Sequence, residues 1–223
     1  MILLRSLAFG TLVLLGSVAQ PADHAWAEAA AAAPAPANDP AKFVQDLGNK
    51  AMAQLAGKQI PAEEERARFR QLLNESFDTQ TIGRFTVGRA YWGSASPQQQ
   101  QEFLSLYETQ VVNAYAKRFQ DYSGEQFTVL GEQKEGDGGD TIVNSQILRP
   151  NGGPPVSVQW RVRNGSAGLK IVDVVIAGIS MAVTDRQQFA AVIERGGGGI
   201  QPLIDALKTQ NLQVAQPPST DKS

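Results

Sequence analysis

The apolar residues of this 223-residue chain change their spacing near Gly124, and this change limits the folds available to it. From Asp39 to about Tyr122 they recur every three or four positions, which is typical of amphipathic helices. After Gly124 they recur at every second position, which is typical of strands with one buried face. The clearest alternation places these residues on one face of a strand: Val156, Val158, Trp160 and Val162. Helices followed by strands predict an α+β fold.

Capping signals divide the helical part. Asp39-Pro40 predicts a helix to about Ala56, and Pro61 opens the next helix. A short helix is expected over Thr79–Val87, and Ser96-Pro97 starts the longest helix, to about Asp121. After the strands, a capping box at Thr184-x-x-Gln187 predicts another helix, the glycines 196–199 break it, and a last helix covers about 202–209.

Turn signals divide the second part into four strands, predicted over Glu125–Lys134, Thr141–Arg149, 156–163 and Leu169–Ala177. Their short connections predict an antiparallel meander. We therefore expect helices packed on one face of a curved four-stranded antiparallel sheet. The apolar faces either interlock into a solid core, which is the default expectation, or enclose a cavity of roughly 300–1,000 Å³.

The first residues have the features of an export signal. Arg5 precedes an apolar run over 7–19, and Ala25-Trp26-Ala27 fits a cleavage site. We expect a signal peptide over 1–27, an Ala/Pro linker over 28–38, one domain over 39–212 and a disordered tail over 213–223. The product should be soluble and lie outside the cytoplasm.

The composition argues against most catalytic sites. The chain contains no cysteine, and its one histidine, His24, lies in the predicted signal peptide. A catalytic triad, a thiolate nucleophile and a His/Cys zinc site are therefore not expected after export. The net charge is −2 without a basic run, so nucleic-acid binding is not expected either. We predict no enzyme, no metal and no cofactor.

The acidic residues of the sheet are better explained by structure than by catalysis. Asp137 and Asp140 flank two glycines, where Asp favours turn geometry. Asp173 interrupts an apolar strand, and we expect it either to pair with Arg161 or Arg163 or to lie exposed beside a partner surface. A hydrolase that uses two carboxylates stays an alternative, but the sequence does not place such a pair.

Three segments, in order, resemble the MlaC family of periplasmic phospholipid carriers, also called the toluene-tolerance auxiliary family. They are Val87–Gln100 (VGRAYWGSASPQQQ), Pro150–Val156 with Trp160-Arg161, and Val172–Thr184 (VDVVIAGISMAVT). The resemblance covers about Asp39–Gln210. One departure is Ala177, where many members carry Glu.

The resemblance implies a function. Members carry a phospholipid through the periplasm between an outer-membrane lipoprotein complex and an inner-membrane MCE/ABC transporter complex, which maintains outer-membrane lipid asymmetry. It also implies an apolar lipid pocket between sheet and helices, with the lipid as cargo rather than cofactor. Some relatives are linked to hopanoids, so a hopanoid carrier is an alternative. A periplasmic accessory protein that binds a membrane complex without carrying lipid is another.

Pattern and resemblance together predict the lipid-binding residues. Arg89 is the candidate for a head-group contact, and a solvated charge at a helix end is an equal alternative for it. The predicted tail-binding residues are Phe69, Leu73, Phe85, Val87, Tyr91, Tyr107, Val111, Tyr115, Val158, Trp160, Val172, Val174, Ile176 and Met181.

Overall fold

The computed structural model describes residues 39–120, 122, 124–136 and 139–215. The predicted signal peptide, the Ala/Pro linker, Asp137 and the residues after 215 lie outside the described residues. None of the described helices combines the length and apolar character needed to cross a bilayer.

The described residues form seven α-helices, one 3₁₀ helix and five strands. The helices are α1 (Pro40–Gln54), α2 (Ala62–Ser76), α3 (Thr79–Val87), α4 (Arg89–Ser94), α5 (Pro97–Tyr115), the 3₁₀ helix (Ala116–Phe119), α6 (Met181–Arg195) and α7 (Gln201–Ala215). The strands are β1 (Gln126–Glu135), β2 (Asp140–Leu148), β3 (Val156–Gly165), β4 (Gly168–Ile176) and β5 (Ile179–Ser180). The α+β class is therefore confirmed.

The sheet has the order β1-β2-β3-β4-β5, and neighbouring strands are antiparallel. The prediction of four strands was wrong by one. β5 contains two residues and follows a turn in which Ala177 and Gly178 have φ angles of 50° and 83°. A strand of two residues cannot show an alternating pattern, so its pairing with Val175 and Ile176 is visible only in three dimensions.

Local capping explains where most helices begin. Asp39 accepts a hydrogen bond from the Lys42 N–H at 2.8 Å and caps α1. Ser96 and Gln99 form the reciprocal bonds of a capping box at the start of α5.

Three helix boundaries differ from the predictions. The capping box expected at Thr184 is absent: α6 begins at Met181 with Ser180 as its cap, and the Thr184 hydroxyl donates to the Ser180 carbonyl. α5 ends at Tyr115 and continues as the 3₁₀ helix instead of reaching Asp121. The last helix reaches Ala215, beyond the domain boundary expected at 212.

Two apolar clusters hold the domain together. In the first, α1 and α2 pack against the sheet through Val44, Leu55, Leu72, Val143, Val162 and Ile171. In the second, α3, α5, α6 and α7 pack on one another around Phe103, Phe189, Ile193 and Leu203. Phe103, Tyr107 and Phe189 form aromatic contacts with ring centroids 5.8–6.0 Å apart. Residues of both clusters also border a space between the helices and the sheet.

Candidate functional site

A cavity of about 300 Å³ lies between the helices and the sheet. On the α1–α2 side its lining includes Leu47, Met52, Leu55, Phe69, Leu72 and Leu73. On the sheet it includes Phe127, Ile147, Val158, Trp160, Val174 and Ile176. The remaining side consists largely of Tyr107, Val111, Tyr115, Met181, Ala182 and Asp185 of α5 and α6. The lining is mostly apolar, which suits an aliphatic ligand.

Burial differs among the residues that line the cavity. Leu72 and Leu73 of α2 are buried. Arg118 is exposed, and Tyr122 is only half-buried. The cavity therefore opens where the 3₁₀ helix meets the segment before β1, and we call this opening the mouth.

Charged and aromatic groups surround the mouth. The Arg118 guanidinium carbon lies 4.9 Å from the centre of the Tyr115 ring. Burial raises the pKa of Tyr122; Glu125 raises it further, and Arg118 and Arg149 lower it. Two guanidinium groups are thus close enough to influence the phenol at the opening. Such groups match the geometry of phosphate oxygens.

Polar groups also lie inside the cavity, where α5 faces α6. The Tyr107 hydroxyl donates a hydrogen bond to Asp185 Oδ2 at 3.0 Å, and the Tyr115 hydroxyl donates to Met181 Sδ at 3.4 Å. Burial raises the pKa of Asp185, the Tyr107 hydrogen bond opposes this rise, and the negative charge of Asp173 adds to it. Burial likewise raises the pKa of Tyr107 and of Tyr115, so both phenols are neutral at physiological pH.

Asp173 is a cavity residue with a structural role. Its carboxylate accepts hydrogen bonds from Val174 N at 2.8 Å, Ser180 Oγ at 2.7 Å and Ala182 N at 3.1 Å. It therefore joins β4 to the start of α6. Both expectations for Asp173 were wrong, because it is only 9% exposed and because Arg161 and Arg163 form their salt bridges with Glu135 and Asp140 instead.

The two candidate arginines bind other carboxylates. Arg161 pairs with Glu135, and Arg163 donates two bonds of 2.8 Å to Asp140. Asp140 begins β2 directly across from Arg163, so strand pairing rather than turn geometry explains it. In the part of the chain that the structure describes, no three acidic or histidine ligands are grouped to hold a metal.

The structure brings most of the predicted lipid-binding residues to the cavity. Those that line it are Phe69, Leu73, Tyr107, Val111, Tyr115, Val158, Trp160, Val174, Ile176 and Met181. Contact with a lipid stays a prediction for each of them.

The other predicted residues lie away from the cavity. Val87 and Tyr91 pack in the cluster of α3, α5, α6 and α7. Phe85 is 43% exposed and contacts the Arg186 guanidinium, and Arg89 is an exposed residue at the start of α4. Val172 is the extra residue of a bulge, because Arg161 pairs with Asp173 while Val162 pairs with Ile171. The bulge breaks the strict alternation from which Val172 was predicted.

The sequence analysis missed two groups of cavity residues. Leu47 of α1 and Leu55, which caps the end of α1, were detectable from their helical spacing, since they belong to the same apolar cluster as Val44. Arg118 and Asp185 carried no local signal. Their place in the site depends on partners in distant elements, such as Tyr107, which lies 78 positions from Asp185.

Comparisons with known proteins agree on one family. A family model described as MlaC protein matches residues 45–209. The chain is 27% identical over 131 residues to the intermembrane phospholipid transport system binding protein MlaC of Haemophilus influenzae, with 58% of each protein covered. It is 25% identical over 135 residues to the toluene tolerance protein ttg2D of Pseudomonas putida, with 60% of this chain and 62% of that protein covered. The chain thus matches less than two thirds of the length of either relative.

A solved structure has a similar fold. It is the phospholipid-binding protein from Ralstonia solanacearum in complex with a phospholipid, at 25% sequence identity and a TM-score of 0.68. The match covers 80% of this chain and 99% of that one.

Proposed function

Because the chain belongs to the MlaC family, we propose that it binds a phospholipid and carries it as cargo, with acyl-chain carbons enclosed in the cavity. The observation that carries this proposal is the mostly apolar cavity of about 300 Å³, which has the exposed Arg118 among its lining residues. The similar Ralstonia protein was solved with a phospholipid, which supports the same ligand class here.

The size of the cavity gives the scale of the binding energy. At roughly 30 Å³ for a group of the size of water or methylene, it holds about ten such groups. Burying a methylene contributes about 0.8 kcal/mol, so ten contribute about 8 kcal/mol. This favourable term keeps the chain out of water while the protein moves between membranes. It requires no covalent chemistry, and hence no enzyme activity.

At the mouth, Arg118 takes the role that the sequence analysis gave to Arg89. A guanidinium there can donate two parallel hydrogen bonds to a phosphate while the chains occupy the cavity. The lipid head would then stay in contact with water.

The place of action and the partners follow from the proposed export and from the family. We place the protein in the periplasm, between an outer-membrane lipoprotein complex and an inner-membrane MCE/ABC transporter complex, where it maintains outer-membrane lipid asymmetry. The Haemophilus relative is named as an intermembrane phospholipid transport system binding protein, which supports this placement.

A bulky substitution inside the cavity tests the proposal. Val158 is 4% exposed and lines the cavity, whereas its neighbour Ser157 is exposed on the other face of β3. Lipid-free wild type, Val158→Trp and Ser157→Trp would be incubated with phosphatidylglycerol or phosphatidylethanolamine vesicles and separated from them by gel filtration. Protein-bound lipid would then be quantified by mass spectrometry.

We expect the wild type and Ser157→Trp to take up lipid alike, and Val158→Trp to take up far less with an unchanged circular dichroism spectrum. A folded Val158→Trp protein with full uptake would contradict the placement of the chains. No uptake by the wild type would contradict phospholipid carriage, and uptake of only a hopanoid from a parallel vesicle set would change the cargo class.

A further inference from the structure

The polar groups of the cavity are concentrated where α5 faces α6. This wall, which we call the α5–α6 wall, consists of Tyr107, Tyr115, Met181 and Asp185. The α1–α2 side and the sheet carry leucine, phenylalanine and other apolar side chains, apart from Asp173, whose carboxylate is bonded to β4 and the start of α6. A cavity for hydrocarbon alone gains nothing from hydroxyl and carboxyl groups, because each polar group that loses water there needs a new hydrogen-bond partner.

The hydrogen bonds of this wall leave capacity for a ligand. The Tyr115 hydroxyl donates to the thioether sulfur of Met181, which is a weak acceptor. Asp185 accepts one bond from Tyr107 through Oδ2, and a carboxyl group has two oxygens. A ligand with a good acceptor could therefore take over the Tyr115 bond and receive a second bond from Asp185 when Asp185 is protonated.

From this geometry we infer that Tyr115 and Asp185 bind the ester carbonyl groups that join the acyl chains to the glycerol of the cargo. The inference rests on the proposed function and names the class of lipid that the site prefers: acyl esters over lipids with ether links. Ester carbonyl oxygens are good acceptors without charge, so they suit an uncharged donor pair.

The order of groups along the cavity agrees with the order of groups in such a lipid. Arg118 at the mouth is three residues from Tyr115 and stacks on its ring. Asp185 lies further inside, since it contacts Tyr107, which is 4% exposed. Leu72 and Leu73 of α2 supply buried apolar lining. From the mouth inward, a guanidinium and then a hydroxyl and a carboxyl, with apolar lining around them, match the phosphate, the esters and the acyl chains of such a lipid.

The proton on Asp185 is part of the inference. Burial already raises the pKa of this carboxyl, and a lipid that displaces water from the wall would raise it further. The titratable groups that face it are Tyr107 and Tyr115 of α5 and Asp173 of β4. Beyond the Tyr115 ring lies Arg118, and among the described residues α3 and α7 contribute no charged side chain to the cavity. Ester binding should thus strengthen as the pH falls through the pKa of Asp185.

The test compares an ester phospholipid with its ether analogue of the same chain length and head group. Lipid-free protein would be offered vesicles of dipalmitoyl phosphatidylcholine or of the dihexadecyl ether lipid, at several pH values from 4 to 8. A hydrogen bond of about 1 kcal/mol corresponds to about a fivefold preference for the ester. We expect that preference in the wild type at low pH, and a smaller one at pH 8.

Variants assign the preference to the wall. Tyr115→Phe should lose most of it, while Tyr91→Phe, which removes a hydroxyl outside the cavity, should keep it. Asp185→Asn carries an amide N–H donor that does not titrate, so the ester preference of this variant should no longer change with pH. Thermal melts would verify that each variant folds.

Equal uptake of the ester and ether lipids by the wild type would overturn the inference and leave the proposed function intact. A preference that grows with rising pH would also overturn it, because the protonated donor form of Asp185 becomes less populated as the pH rises. Uptake of neither lipid would overturn the proposed function itself.

Discussion

Replacement of Asp173 by alanine should destabilise the domain strongly, although the residue lies in a strand and pairs with no cation. Its carboxylate accepts three hydrogen bonds of 2.7–3.1 Å, from the backbone of β4, the cap of α6 and the first turn of α6. Alanine removes all three bonds and leaves the N–H of Ala182, a buried residue, without this acceptor.

The expected loss follows from the number and kind of these bonds. A hydrogen bond to a charged group contributes about 1.5–3 kcal/mol, and water entering the site recovers part of that. We expect a decrease of about 4 kcal/mol in the free energy of unfolding, which lowers the melting temperature by about 12 °C for a domain of this size. Asp173→Asn should lose only about 1–2 kcal/mol, because its amide oxygen can still accept the two backbone bonds made to Oδ1.

Urea unfolding followed by circular dichroism measures both variants. Lipid-free protein is needed, since a ligand that binds only the folded state adds apparent stability. The slope with urea concentration should stay constant, so that the midpoint shift reports stability. An alanine variant within 1 kcal/mol of the wild type, or equal losses for alanine and asparagine, would refute the role of Asp173 as the link between β4 and α6.

Four other substitutions test the packing, the capping and the charge of the domain. Gly48→Ala should destabilise the domain by about 1–3 kcal/mol, because the new Cβ of α1 would lie 2.2 Å from a Phe127 ring atom. Gly93→Ala in α4 should stabilise it by about 0.5–1 kcal/mol, because the new Cβ would have no atom within 4 Å. Thermal melts compare the two variants. Ser96→Ala should cost about 1 kcal/mol by removing the α5 cap, measured by urea unfolding. The pKa of Asp185 is raised in the folded state, so the folded state binds the proton of this carboxyl more readily than the unfolded state does. The free energy of unfolding of the wild type should therefore fall relative to that of Asp185→Asn as the pH rises from 4 to 7. A difference that stays constant with pH would contradict this.

Local signals were sufficient for much of the fold. Asp39-Pro40 and Ser96-Pro97 predicted helix starts because capping depends on residues within one turn. The alternation of β3 identified Val158 and Trp160 as neighbours on one face, and both line the cavity. In these segments, the spacing of residues along the sequence is sufficient to predict the type of element and its buried face.

The remaining features depend on contacts between distant segments. The bulge at Val172 arises from pairing between β3 and β4, and no residue in β4 alone signals it. Tyr107 and Asp185 meet because α5 packs against α6, although each has the spacing of an ordinary helical residue. The sequence also could not distinguish a filled core from a cavity, because both require the same apolar faces; the structure contains both.

The most direct test of lipid carriage is native mass spectrometry of the protein, purified without detergent and then extracted with organic solvent. We predict a mass excess over the polypeptide that equals one or more phospholipids and disappears on extraction, with the same lipids recovered in the solvent. A bare polypeptide mass that stays unchanged after incubation with phospholipid vesicles would contradict the central claim and favour a periplasmic accessory protein that binds a membrane complex without lipid.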